Sequence, residues 1–139
     1  QLTLTYLEKA AKRGHATAQY QLGLYYDEGM RGLTQSSRRA SEYYTLAAEQ
    51  GYSDAQFNLA IMYENGNYVE QSDTRALELY KMAAKGGNAE AQFTTGVMYC
   101  NSTGVEQSYT KARKWLAKAA AQGDESAIDA IKQLDAAGV

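Results

Sequence analysis

The sequence contains no proline and only one cysteine, Cys100, among 139 residues. No internal disulfide can form, so a disulfide-stapled framework is excluded and a reducing compartment is permitted. Histidine is equally scarce: His15 is the only one. One His and one Cys suggest neither a His/Cys metal cluster nor a Cys–His nucleophile pair. No apolar run approaches the length of a membrane span, which argues against direct membrane insertion, and no signal-peptide pattern opens the chain. The net charge is -2 with no block of basic residues. Nucleic acid or an anionic membrane calls for a cationic face, so neither is an expected partner. The first residue is Gln1 rather than Met. The chain therefore reads as a processed or excised piece, and the missing leader is silent on compartment.

What the chain has instead is alanine, glycine and a period. The pairs Ala47-Ala48, Ala83-Ala84 and Ala119-Ala120 lie 36 residues apart, and Ala10-Ala11 precedes them by 37. Each pair is followed by a glycine in the same place: Gly14, Gly51, Gly87 and Gly123. Ala18-Gln19, Ala55-Gln56 and Ala91-Gln92 keep the spacing, with Ala127 as a fourth echo, and so do Tyr26, Tyr63 and Tyr99. Self-similarity at a fixed period of 20–50 residues is the signature of stacked repeat architectures. The one extra residue of the first unit falls near Met30-Arg31, in a loop, where an insertion is cheap.

Each unit predicts two helices. Helix A spans about 16–28, 53–65 and 89–101; helix B spans about 37–50, 73–86 and 108–122. Ala55, Leu59, Met62 and Tyr63 share a helical face. A small residue recurs mid-helix at Gly23, Ala60 and Gly96. Glycine there costs about 0.5–1 kcal/mol relative to alanine, so its recurrence predicts a helix packed too close for a side chain. Gly29 and Gly66 are placed to end helix A in the left-handed conformation, and Ser36, Ser72 and Ser108 to cap helix B. Residues 1–13 read as a helix B without its partner, and 125–137 as a polar capping helix. The expectation is one all-α domain over 1–139. It divides into a partial repeat (1–15), repeats at about 16–52, 53–88 and 89–124, and a capping helix (125–139). About eight helices form a right-handed superhelix, or solenoid. The uncapped N-terminal end predicts the C-terminal part of a longer array.

The helix A segments read AQYQLGLYYDEGMRGL, AQFNLAIMYENGNYV and AQFTTGVMYCNSTGV, and the helix B segments ASEYYTLAAEQG, ALELYKMAAKGG and ARKWLAKAAAQG. This pattern resembles the Sel-1-like repeat family, a relative of the tetratricopeptide repeats, over nearly the whole chain. Departures are Ala60 for the helix A glycine, Thr95 for a leucine and Ser102 for the first loop glycine. Regularly placed cysteines are missing, so the chain does not resemble the cysteine-rich branch of the family. The resemblance implies a scaffold or adaptor with a protein or peptide partner, no cofactor and no catalysis.

By analogy with tetratricopeptide proteins, helix A would line a concave face. The inward stripe is then Thr17, Tyr20, Leu24 and Asp27; Asp54, Phe57, Ile61 and Glu64; Glu90, Phe93, Val97 and Cys100. This describes an apolar groove with acidic margins. The competing reading makes Tyr20, Phe57 and Phe93 ordinary inter-repeat packing. Leu24, Ile61 and Val97 are the better contact candidates, because Leu22 and Leu59 already supply the core face. Arg39, Arg75 and Lys111 form a ladder that reads first as a solvated or salt-bridged face and second as a site for phosphate or an acidic partner. Asn101-Ser102-Thr103 matches the N-glycosylation sequon in a predicted loop, relevant only in a secretory chain. No carboxylate pair stands out for acid–base chemistry, and the glycine-containing turns end helices instead of opening them around a phosphate. The functional expectation is a protein-interaction module. The alternatives are a spacer or assembly subunit, or a regulatory appendage of a larger protein.

Overall fold

The computed structural model describes residues 2–139, and Gln1 lies outside it. Eight helices follow one another among the described residues, with no strand: α1 (Leu2–Lys12), α2 (Ala16–Glu28), α3 (Ser37–Glu49), α4 (Ser53–Asn65), α5 (Asp73–Lys85), α6 (Ala89–Asn101), α7 (Tyr109–Ala121) and α8 (Glu125–Ala137). Helix A of the repeat corresponds to α2, α4 and α6, and helix B to α3, α5 and α7. Each helix packs on its neighbours in sequence, most extensively α2 on α3, α4 on α5 and α6 on α7. The result is the solenoid-like stacking of helix pairs that the period predicts.

The helix boundaries have local causes. The hydroxyls of Ser36, Ser72 and Ser108 accept hydrogen bonds from the backbone N–H groups of Arg39, Arg75 and Lys111, satisfying donors that a helix start leaves orphaned. Helices α2 and α4 end on Gly29 and Gly66 at φ 68° and 69°. Ser102 takes that position after α6 at φ 59°, and its hydroxyl donates to the Val105 carbonyl at 2.9 Å. A non-glycine residue in this region costs roughly 1–2 kcal/mol, which the local hydrogen bond partly offsets.

Small residues set the helix separation within each pair. A Cβ on Gly23 would lie 2.5 Å from Tyr44 Cδ1, and one on Gly96 would lie 2.7 Å from Leu116 Cγ. On each helix B a fully buried alanine (Ala40, Ala76 or Ala112) lies one turn before a large buried side chain (Tyr44, Tyr80 or Leu116). Leu22 and Leu59 are buried as expected, and Thr95 occupies the equivalent place in the third unit. Its hydroxyl is buried without a hydrogen-bond partner.

The Ala-Gln dipeptide turns out to be a junction device. The buried side chains of Gln19, Gln56 and Gln92 donate from Nε2 to the carbonyls of Ala11, Ala48 and Ala84 at 3.1, 3.2 and 3.1 Å. Each bond ties helix A to the helix B before it. In two units a second glutamine completes the junction. Gln50 Nε2 donates to Gly14 O and Gln19 Oε1, and Gln122 Nε2 donates to Gly87 O and Gln92 Oε1. The middle unit has Gly86 in that place, and Gln56 Oε1 is left buried without a partner.

Candidate functional site

The candidate site lies on the α2 and α4 faces, where helical spacing presents one stripe per repeat. A groove of 350 Å³ crosses the two helices and brings together Tyr20, Leu24, Asp27 and Ile61. Four of the twelve stripe residues proposed from sequence thus share one cavity. Leu24 and Ile61 are half-buried and pack on the central core, so the division between core and contact residues is less sharp than the pattern suggests. Tyr20 is packing and lining at once: its ring lies 5.1 Å from Tyr52 and 6.0 Å from Tyr44.

The remaining stripe residues go elsewhere. Phe57 meets Tyr80 edge-on at 5.5 Å, and Phe93 packs on the group around Leu116 and Ala127. Both are half-buried. Asp54 accepts at 3.1 Å from Nδ2 of Asn88, the residue that caps the start of α6. Glu90 and Thr17 are exposed. Val97 and Cys100 line a separate groove of 360 Å³ with Leu116 and Leu134 of the last helices. Asn101 lines it too: it is the last residue of α6 and exposed, so the sequon begins on a helix end, not in the loop expected, with Ser102 already in the turn.

Sequence reasoning missed the carboxamides Asn58, Asn65 and Asn67, which line the first groove with Glu28 and Met62. A signal was available. Asn58 occupies a mid-helix place that is polar in every unit, shared with Gln21 and Thr94, each directly after the stripe aromatic. It also missed what holds the acids. Tyr44 donates to Asp27 Oδ2 at 3.2 Å, and Tyr80 to Glu64 Oε1 at 2.7 Å, so a core phenol orients a rim carboxylate in each of two repeats. Burial, then the neighbouring carboxylate, pushes both phenols well above the ordinary tyrosine value. They stay protonated donors at neutral pH.

The cation ladder is occupied from within. Arg39 lies over the Tyr26 ring at 5.4 Å, Arg75 over Tyr63 at 5.6 Å and Lys111 over Tyr99 at 5.7 Å. Each cation leans on the repeated tyrosine of its own unit, an attraction of about 0.5–1 kcal/mol when exposed. Arg75 also pairs with Glu78 at 3.3 Å. His15 is exposed at the turn before α2. Burial raises the Cys100 thiol, only partly countered by Arg113, the opposite of what an activated nucleophile needs. Among the described residues no helix is long and apolar enough to cross a membrane.

Helix pairs stacked at a fixed period, with a glutamine bonding each repeat to the one before, define an α-helical repeat protein. The Sel1 repeat family matches residues 1–15, 16–52, 53–88 and 89–124, and the chain belongs to that family. Its structure is similar to a Sel1 repeat protein from Oxalobacter formigenes, with TM-score 0.90 and 34% identity over 96% of this chain and 99% of that one. It is also similar to a protective antigen of uropathogenic Escherichia coli displaying an SLR fold. There the TM-score is 0.89 and the identity 36%, over 94% of this chain and 28% of that one. Cysteine-rich protein B of Helicobacter pylori shares the fold at TM-score 0.70 and 22% identity, over 91% of this chain and 95% of that one. No curated protein matches the chain.

Proposed function

We propose that this protein is a non-catalytic interaction module that holds a peptide or protein partner against the α2, α4 and α6 faces. The observation that carries the reading is the groove across α2 and α4. It is open, and in it the apolar side chains of Leu24, Ile61 and Met62 meet polar groups from two consecutive repeats. Apolar contact combined with placed polar groups is how clefts hold ligands, and repeat arrays generally use such extended faces for binding. The reading is tested by comparing the wild-type chain with a Leu24→Ala/Ile61→Ala variant as baits in extracts of the source cells. Thermal melts of both establish that the variant is folded. The variant is expected to stay folded and lose the captured partner, because apolar anchors at an interface centre dominate binding energy. A folded variant that captures the same partner undiminished contradicts the reading.

One observation favours a second reading. Leu46 and Met82 occupy equivalent places on α3 and α5 and are 46% and 47% exposed. A repeated apolar residue on the helix B face suits an assembly subunit that buries this face in a larger complex. Retained capture by the variant above, lost on Leu46→Ser/Met82→Ser, would select it.

A further inference from the structure

Charge is segregated between the two helix types. Helices α2, α4 and α6 carry the acids Asp27, Glu28, Asp54, Glu64 and Glu90 and not one lysine or arginine. Helices α3, α5 and α7 carry nine lysines and arginines against four acids. A net charge of -2 conceals this division. The acids of the helix A face are not neutralised within the chain: the ion pairs among the described residues are Arg38–Glu42, Arg75–Glu78 and Arg113–Asp135. Asp27 and Glu28 belong to the wall of the α2/α4 groove, and its lining includes no cation.

We infer that the occupant of this groove is a peptide segment carrying lysine or arginine between apolar residues. The apolar residues would lie on Leu24 and Ile61, the cation would sit at the carboxylates of Asp27 and Glu28, and Asn58 and Asn65 would pair with the peptide backbone. The inference rests on the groove being the binding face and adds the sign and spacing of the ligand. A single-sign cleft attracts the opposite charge and rejects its own, setting both association rate and selectivity. The Tyr44 phenol holds Asp27 in place beforehand, so little ordering remains for the ligand to impose.

The test uses three fluorescein-labelled 12-residue peptides with the same leucine positions. The residues between the leucines are lysine, serine or glutamate. Fluorescence anisotropy is read in low and high salt. The lysine peptide is expected to bind about 5–10-fold tighter than the serine peptide, the yield of two partly screened ion pairs. The preference should shrink at high salt. Asp27→Asn/Glu28→Gln should remove the preference for the lysine peptide over the serine peptide. Glu49→Gln, on a helix B, should change nothing. Equal binding of the lysine and serine peptides, both lost in Leu24→Ala/Ile61→Ala, overturns the charge inference and leaves the groove standing. Binding that Leu24→Ala/Ile61→Ala leaves intact, or no binding by any peptide, overturns both. Sedimentation equilibrium of the peptide-free chain closes the remaining case: a dimer abolished by Leu24→Ala/Ile61→Ala makes the occupant a second copy and overturns the inference.

Discussion

The junction between the first and second full repeats and that between the second and third should differ in strength, and the difference can be repaired. Gln50 and Gln122 each donate twice across their junctions, whereas Gly86, their equivalent, has no side chain to donate and leaves Gln56 Oε1 buried and unpaired. Gly86 has φ -78° and ψ 0°, close to the -89° and 4° of Gln50, so its backbone accepts a side chain without strain. The obstacle is Ser53: a Cβ on Gly86 would stand 2.0 Å from its hydroxyl oxygen. The equivalents of Ser53 in the neighbouring repeats are Ala16 and Ala89. The double substitution Ser53→Ala/Gly86→Gln therefore rebuilds the arrangement that the other junctions have. Two hydrogen bonds at about 0.5–1.5 kcal/mol each, one of them to an acceptor now stranded, favour the variant. Removing a glycine from the unfolded chain adds about 0.4–1 kcal/mol. Ordering a glutamine takes back up to about 1.5–2 kcal/mol, less for a half-exposed one. The net expectation is a gain of about 1 kcal/mol, or a rise of about 3–4 °C in Tm for a chain of this size. Gly86→Gln alone should gain less, since the serine hydroxyl is in the way, so a double-mutant cycle should show favourable coupling. Urea melts of the four proteins provide the values. A double variant no more stable than the parent, or additive singles, would refute the reasoning and mean that Gln56 is satisfied in solution without a second glutamine at its junction.

Gly96→Leu should destabilise by a few kcal/mol, because even a Cβ meets Leu116 and, at 3.1 Å, the Ala112 carbonyl; an unchanged melting temperature would place Gly96 outside the close crossing. Thr95→Val should stabilise by about 1 kcal/mol by removing a buried, unpartnered hydroxyl at nearly constant volume, and a loss of stability by urea melt would show that the hydroxyl is bonded. The Tyr80 phenol is raised above its unfolded value of about 10. Its contribution is thus complete below pH 10 and is lost as pH rises through the folded value. Tyr80→Phe should accordingly flatten the alkaline fall in stability above pH 10, and an identical fall in both proteins would contradict the assignment.

Much of this fold was legible in the sequence because the repeat multiplies every local signal. The serine caps, the helix-ending glycines and the mid-helix Gly23 and Gly96 each obey a rule that needs only the chain's own neighbourhood. The role of the Ala-Gln dipeptide was not legible, since it requires knowing that the glutamine points at a carbonyl eight residues back on another helix. The stripe on helix A identified Tyr20, Leu24, Asp27 and Ile61 as neighbours, but helical phase alone could not separate them from Phe57 and Phe93, which turn into packing contacts. The cation ladder was visible as a spacing, yet its tyrosine partners were not. Arg75 and Tyr63 sit 12 residues apart, on different helices, and only the fold of the hairpin brings them together.

The central claim, that the helix A face holds the partner, is tested most directly by hydrogen exchange of the chain with and without a bound peptide or captured protein. New protection is expected in α2, α4 and α6, strongest around Leu24 and Ile61, with α3, α5 and α7 unchanged. Protection confined to α3, α5 and α7, or to the exposed end at α1, would contradict the claim.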